Sequence, residues 1–160
     1  MVILNAVDFM LKYHSAEIGT REIPGEVSLV IKIANCPFKC GRCKHKELTE
    51  DDDKLLSSNI LSVLIDSAIS DISCVVFIGG DSAPEKVNDL ASLIRFYFPF
   101  LKIGWFSGDP DISIFMEYKN FDYLRLGKCV VPQDKKDADK PRLYRIKNGT
   151  LRDITYKSRT

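Results

Sequence analysis

The chain has 160 residues and a mass of 18.1 kDa, so we expect one domain over residues 1–160 and no second catalytic domain. Hydrophobic residues at 45% and charged residues at 28% are typical of a globular protein and exclude disordered, collagenous and membrane classes. The net charge of +1 argues against broad attraction to nucleic acid or anionic lipid, and we expect neither as a partner.

One strand and one helix are predicted before residue 70. Residues 27–33 are rich in β-branched side chains and follow the breaker pair Pro24-Gly25, which predicts a strand. Residues 51–53 are all aspartate and stand just before an apolar periodic stretch, so we expect them at the solvated start of a helix. The apolar positions of that helix are Leu56, Ile60, Val63, Leu64 and Ala68.

Residues 74–78 are fully apolar and predict a buried strand that ends at Gly79-Gly80-Asp81. A helix should follow, with Asp81 or Ser82 as its N-cap and Pro84 in its first turn. Its apolar side chains at helical spacing are Val87, Leu90, Ala91, Ile94 and Phe98.

Further elements are predicted towards the end of the chain. Residues 101–106 form a strand ending at Ser107-Gly108, a short helix starts at Asp109-Pro110, and residues 121–126 form another strand. Residues 132–142 read as an exposed loop, and Asn148-Gly149 predicts a hairpin between strands 143–147 and 150–155. Strands alternating with helices indicate an α/β fold with a largely parallel sheet, either open and doubly wound or barrel-like.

The five cysteines divide into two groups. Cys36, Cys40 and Cys43 lie within eight residues, which favours a metal or redox site in a reduced compartment over a disulfide framework. Residues 1–10 lack the basic region of a signal peptide, so we expect a cytoplasmic location. Cys74 and Cys129 stand beside valines and are expected to be small buried hydrophobes.

The cysteine cluster alone is compatible with two alternative kinds of metal site. Three thiolates can hold three irons of a four-iron cluster and leave the fourth iron open for a substrate. Alternatively, His45 joins the three cysteines in a tetrahedral zinc site of a non-catalytic interaction module. His14 is expected to be a surface or structural residue, because no cysteine or second histidine lies near it in the sequence.

Three strands end in polar or glycine-rich turns, and the carboxyl ends of parallel strands gather ligands at one edge of a sheet. We therefore expect the cysteine cluster, Gly79-Gly80-Asp81 and Ser107-Gly108-Asp109 to meet. The bare backbone of Gly79-Gly80 can approach a ligand closely and bind the amino and carboxylate groups of an amino-acid-like molecule. A backbone surface that binds such a ligand favours the iron-sulfur alternative over a structural zinc site.

These motifs resemble the radical S-adenosylmethionine (SAM) superfamily, in which Cys-x3-Cys-x2-Cys follows the first strand and a later strand ends in Gly-Gly-Glu. Most of the chain resembles the activating proteins of anaerobic (class III) ribonucleoside-triphosphate reductase. The resemblance rests on residues 24–30, 43–48, 121–127, 142–146 and 153–156. It implies a partial, open (β/α) barrel of the radical SAM type, with mostly parallel strands and a C-terminal β-hairpin.

The resemblance also implies an activity. Cys36, Cys40 and Cys43 would ligate a [4Fe-4S] cluster whose open iron chelates SAM. SAM would be cleaved reductively to a 5'-deoxyadenosyl radical, which generates a glycyl radical on anaerobic ribonucleoside-triphosphate reductase. The protein would thus be an oxidoreductase that receives an electron from a donor protein. A radical SAM enzyme acting on a different glycyl radical partner is the other alternative.

The SAM contacts implied by the resemblance are Arg42, Lys44, Gly79, Gly80, Asp81 and Ser107. The sequence departs from the superfamily pattern at three of the matching positions. Arg42 replaces the aromatic residue before the third cysteine, and a guanidinium also stacks on a purine. Asp81 stands in place of the glutamate, and Asn35 stands where a glycine commonly precedes the first cysteine.

Overall fold

The structure is a computed structural model that describes residues 11–35, 52, 54–108, 120–127 and 141–157. Eight strands form one sheet, with two α-helices and a final 3-10 turn among these residues. The elements in chain order are β1 (Leu11–Gly19), β2 (Ser28–Ile33), β3 (Leu55–Leu56), α1 (Ser58–Ala68), β4 (Cys74–Ile78), α2 (Pro84–Tyr97), β5 (Lys102–Ser107), β6 (Tyr123–Leu126), β7 (Arg142–Lys147), β8 (Thr150–Asp153) and the turn Thr155–Lys157.

The sheet has the order β3-β1-β2-β4-β5-β6-β7-β8 and mixes both strand directions. The four strands β2, β4, β5 and β6 run parallel to each other at its centre. On either side the outer strands pair antiparallel, β1 with β2 and β3, β7 with β6 and β8. Four of the seven pairings are therefore antiparallel.

The expected fold class is wrong. The described residues form an open mixed sheet with two helices, and not a partial (β/α) barrel of the radical SAM type with mostly parallel strands. The physical reason lies in the connections: only eight residues, 20–27, join β1 to β2, too few for the crossover that parallel strands require, so these two strands pair antiparallel. The predicted C-terminal hairpin is confirmed, with Asn148 and Gly149 at φ values of 53° and 75°.

Both helices pack on the same face of the sheet. Leu61 and Ile65 of α1 and Leu90 and Ile94 of α2 join one buried cluster with side chains such as Phe77. A smaller cluster covers the other face, and its members are Ile23, Val30, Cys74, Val76, Ile78, Tyr123, Leu143 and Ile154. The central strands are buried on both faces, which explains their nearly continuous apolar sequences.

The helix starts differ from the predictions. Helix α1 begins after Ser57, whose hydroxyl accepts a hydrogen bond from the Ile60 amide, and its first turn holds no acidic residue. Leu56 lies in β3, and Val63 is 63% exposed. Helix α2 begins at Pro84, as expected for a proline at the first helical position, but Ala83 is its N-cap and gives no side-chain bond.

A buried carboxylate ties together the amino ends of the central strands. Glu26 is 7% exposed and accepts hydrogen bonds from Lys102 Nζ at 2.7 Å and from Ser73 Oγ at 2.9 Å. The Tyr123 hydroxyl lies 3.5 Å from the same carboxylate. The bond to Glu26, the largest influence, raises the pKa of Lys102. This cluster closes the end of the sheet opposite to the glycine-rich turns.

Candidate functional site

The carboxyl ends of the four parallel strands form one edge of the sheet. Hydrogen bonds join the residues just past the strand ends: the Gly79 amide donates to the Phe106 carbonyl at 3.0 Å, and the Gly127 amide donates to the Ser107 carbonyl at 3.1 Å. We call the edge formed by the carboxyl ends of β2, β4, β5 and β6 the carboxyl edge. The predicted meeting of the Gly79-Gly80-Asp81 turn with Ser107-Gly108 is confirmed here.

Gly79 and Gly80 both adopt φ values in the left-handed region, 92° and 84°, which glycine enters without steric cost. The Gly79 carbonyl accepts a bond of 2.7 Å from Trp105 Nε1, and the Gly80 carbonyl accepts one of 3.1 Å from the Ala83 amide. The Gly79 amide was expected to contact a ligand, but it donates instead to the Phe106 carbonyl within the sheet. Both glycines are buried.

Asp81 links two turns of the carboxyl edge. The Ser107 hydroxyl donates to one oxygen of its carboxylate, and the Gly108 amide donates to the other at 3.2 Å. Ser107 is only 3% exposed, so its hydroxyl is largely shielded from water. Asp81 thus fixes the end of β5 against the turn after β4. Sequence reasoning named both residues as separate contacts for a ligand and missed the bond between them.

Asn35 is the last described residue before the cysteine segment, which is residues 36–51. Its φ of 62° lies in the left-handed region, where asparagine is among the few side chains tolerated. Asn35 therefore provides the backbone conformation for which a glycine is the usual choice. It stands one residue before Cys36, at the carboxyl end of β2.

The residues expected to hold the metal and part of the SAM molecule lie outside the described residues. They are Cys36, Cys40, Cys43, Arg42 and Lys44, and the same holds for His45, Cys129 and the predicted helix from Asp109. Within the described ranges, no three His, Cys, Asp or Glu side chains come together as a metal site.

Cys74 is the one cysteine within the described residues. It is fully buried, and burial raises the pKa of its thiol to about 12. The prediction that Cys74 is a small buried hydrophobe is confirmed.

A histidine and an aspartate that sequence reasoning did not combine form a pair beside the carboxyl edge. His14 Nδ1 lies 2.9 Å from Asp52 Oδ2, and the two side chains are 13% and 22% exposed. The Lys54 backbone amide and then the His14 side chain lower the pKa of Asp52. Asp52 was expected at the start of a helix, and nothing in the spacing of the two residues, 38 positions apart, indicates that they meet.

Comparison of the chain with protein-family models, curated proteins and solved structures finds no match to any of them. Among the described residues, neither helix has the length and apolar character that a membrane crossing requires.

Proposed function

We propose that this protein is an iron-sulfur, SAM-dependent activase that generates a glycyl radical on a large partner enzyme, most specifically anaerobic ribonucleoside-triphosphate reductase. The observation that carries the proposal is the carboxyl edge. The strand that leads into Cys36, the Gly79-Gly80-Asp81 turn and Ser107 belong to three adjacent parallel strands, so their ends share this edge.

The donor set fits an iron-sulfur cluster. Three cysteine thiolates are the ligands that irons of such clusters take, and a set of three leaves one iron of a four-iron cluster without a protein ligand. Asn35 supports the fit, because its left-handed backbone turns the chain immediately before Cys36. The Cys74 thiol is buried at the opposite end of β4 from Gly79, so we assign it no part in ligation.

The glycine turn would receive the methionine end of SAM. A carbonyl oxygen has two lone pairs, so the Gly79 and Gly80 carbonyls would each accept a second bond from an ammonium group. Asp81 would hold Ser107 in place and add negative charge beside the same ammonium. Arg42 and Lys44 complete the proposed contacts on the strength of the sequence resemblance alone.

The cluster and SAM would supply the chemistry when bound, a one-electron reductive cleavage of SAM whose products are methionine, 5'-deoxyadenosine and a glycyl radical on the partner. The residues of this chain would orient SAM and exclude water from it. The electron would come from a separate donor protein. The reaction leaves the unpaired electron on the glycine of the partner.

The test begins with anaerobic reconstitution using iron and sulfide. We expect a brown protein with broad visible absorption, and loss of that absorption in the variants Cys36→Ser, Cys40→Ser and Cys43→Ser. The matched control is Cys74→Ala, which removes a thiol from the core and should retain the cluster. A colourless protein that holds one zinc and takes up no iron would refute the proposal in favour of a zinc-binding interaction module.

The partner is tested by mixing the reconstituted protein with the anaerobic reductase, SAM and a reductant. We expect the electron paramagnetic resonance doublet of a glycyl radical, together with stoichiometric 5'-deoxyadenosine. Cleavage of SAM without that doublet would point to a different glycyl radical enzyme as the partner.

A further inference from the structure

We infer that Asp52 is a positioning residue, which fastens the end of the cysteine segment to strand β1 through His14. The cysteine segment is residues 36–51, and its role as a metal ligand rests on the proposed function. The attachment itself rests on contacts among described residues.

Both flanks of the cysteine segment are hydrogen-bonded to the same short stretch of β1. On the side that leads into it, the Ala34 amide donates to the Lys12 carbonyl at 2.8 Å. On the side that follows it, the Tyr13 amide donates to the Lys54 carbonyl at 3.0 Å. Lys12 and Tyr13 are consecutive, so the chain returns to β1 next to the place where it left.

Side chains reinforce the second attachment. Asp52 Oδ2 lies 2.9 Å from His14 Nδ1, while Asp52 Oδ1 accepts a bond of 3.0 Å from the Lys54 amide. The Lys54 ammonium lies 3.7 Å from the same carboxylate and donates to the His14 carbonyl at 2.7 Å. Asp52 is the hub of these contacts.

The local shape of β1 favours the pairing. The register between β1 and β2 shifts between Tyr13 and Ser15, so His14 occupies an irregular position of the strand. Such irregularities re-aim side chains and are common beside functional sites. Both side chains are partly buried, so water screens their bond less than it screens a fully exposed ion pair.

Fixing both flanks would have a consequence for metal binding. A segment whose ends are held together has already lost part of its conformational freedom, so less entropy remains to be lost when its three thiolates close around a metal. Releasing one end should therefore weaken metal binding without changing any ligand. A purely structural ion pair would lower stability and leave the metal affinity of the folded protein unchanged.

The experiment titrates the iron-free, reduced protein with Co²⁺ and follows the absorption of cobalt–thiolate bonds. We expect Asp52→Ala to raise the dissociation constant about fivefold, because the segment regains part of its loop-closure entropy while the backbone bond between Tyr13 and Lys54 limits the release. His14→Asn keeps an N–H near the position of Nδ1 and should stay within about twofold of wild type. The matched control is Arg142→Gln, which removes an ion pair of 3.2 Å in the distant hairpin and should leave cobalt affinity unchanged.

Amide hydrogen exchange of residues 36–54 in the metal-free protein gives an independent measurement. We expect Asp52→Ala to exchange about fivefold faster in this segment, with α2 unaffected. Equal cobalt affinity and equal exchange in Asp52→Ala and wild type would overturn the inference. If wild type binds neither cobalt nor iron at its thiols, the proposed function fails, and the exchange comparison alone decides the role of Asp52.

Discussion

Replacing Gly80 by alanine tests whether the glycine turn is required by backbone geometry and packing. Gly80 has a φ of 84°, a conformation that costs an alanine about 1–2 kcal/mol. An added Cβ would also lie 2.5 Å from Val87 Cγ2 and 3.1 Å from Ile33 Cδ1, both in the buried core. Overpacking of this kind costs about 1–3 kcal/mol, so we expect a total loss of about 2–5 kcal/mol.

Gly25→Ala separates the two contributions. Gly25 has nearly the same φ, 83°, but no atom lies within 4 Å of its added Cβ. Its replacement should therefore cost only the backbone part, about 1–2 kcal/mol. The difference between the two variants measures the packing cost at Gly80.

The assay is urea unfolding of the metal-free protein, in which the free energy of unfolding is obtained for each variant. Adding Val87→Ala should relieve the clash, so the double variant Gly80→Ala/Val87→Ala should lose less than the sum of the single losses by about 1–2 kcal/mol. If Gly80→Ala costs no more than Gly25→Ala, or if the two changes are additive, the steric explanation of this glycine is wrong.

Three further measurements test other parts of the fold. Lys102→Met should cost about 1–3 kcal/mol of unfolding free energy, because the buried Glu26 carboxylate then loses its cation. Adding Glu26→Leu should recover part of this loss. Strict additivity of the two changes in urea unfolding would contradict this explanation of the ion pair. Burial raises the pKa of Cys74 to about 12, so iodoacetamide at pH 8 should label this thiol only after unfolding, and labelling of native protein, read by mass spectrometry, would contradict the burial. A hydrogen bond from the Thr155 hydroxyl, the largest influence, lowers the pKa of Asp153 below its ordinary value of 3.8. The stabilisation from Asp153 is therefore present above about pH 4 and is lost as the pH falls through the pKa of the folded state. Asp153→Asn should reduce the acid dependence of the free energy of unfolding by less than about 1 kcal/mol.

The central strands could be predicted because their sequences allow one interpretation. Residues 74–78 are apolar at every position, and a glycine pair stops them, so the predicted strand and β4 coincide. Strand β1 could not be found in this way. Most of its residues are only partly buried, and without a buried face it lacks the apolar alternation that marks a strand.

The first helix shows a different limit. In residues 60–65 every position except Ser62 is apolar, so the helical face cannot be read from spacing alone. The structure buries Leu61 and Ile65 and leaves Val63 exposed, because α1 is oriented by its packing on the sheet. Ser57, which caps the helix, outweighs the aspartates that the dipole argument favoured.

Two of the turns that were predicted to meet do meet, although the expected fold class is wrong, and the strand directions explain why. The carboxyl edge needs only the parallel group β2, β4, β5 and β6, and the antiparallel strands are added outside this group. An antiparallel neighbour, however, brings its amino end to the carboxyl edge. Strand β1 pairs with β2 in this way, so Tyr13 lies opposite Ile33 and His14 is placed beside the end of β2. A search limited to the residues after each parallel strand therefore finds Gly79, Asp81 and Ser107 and necessarily misses His14.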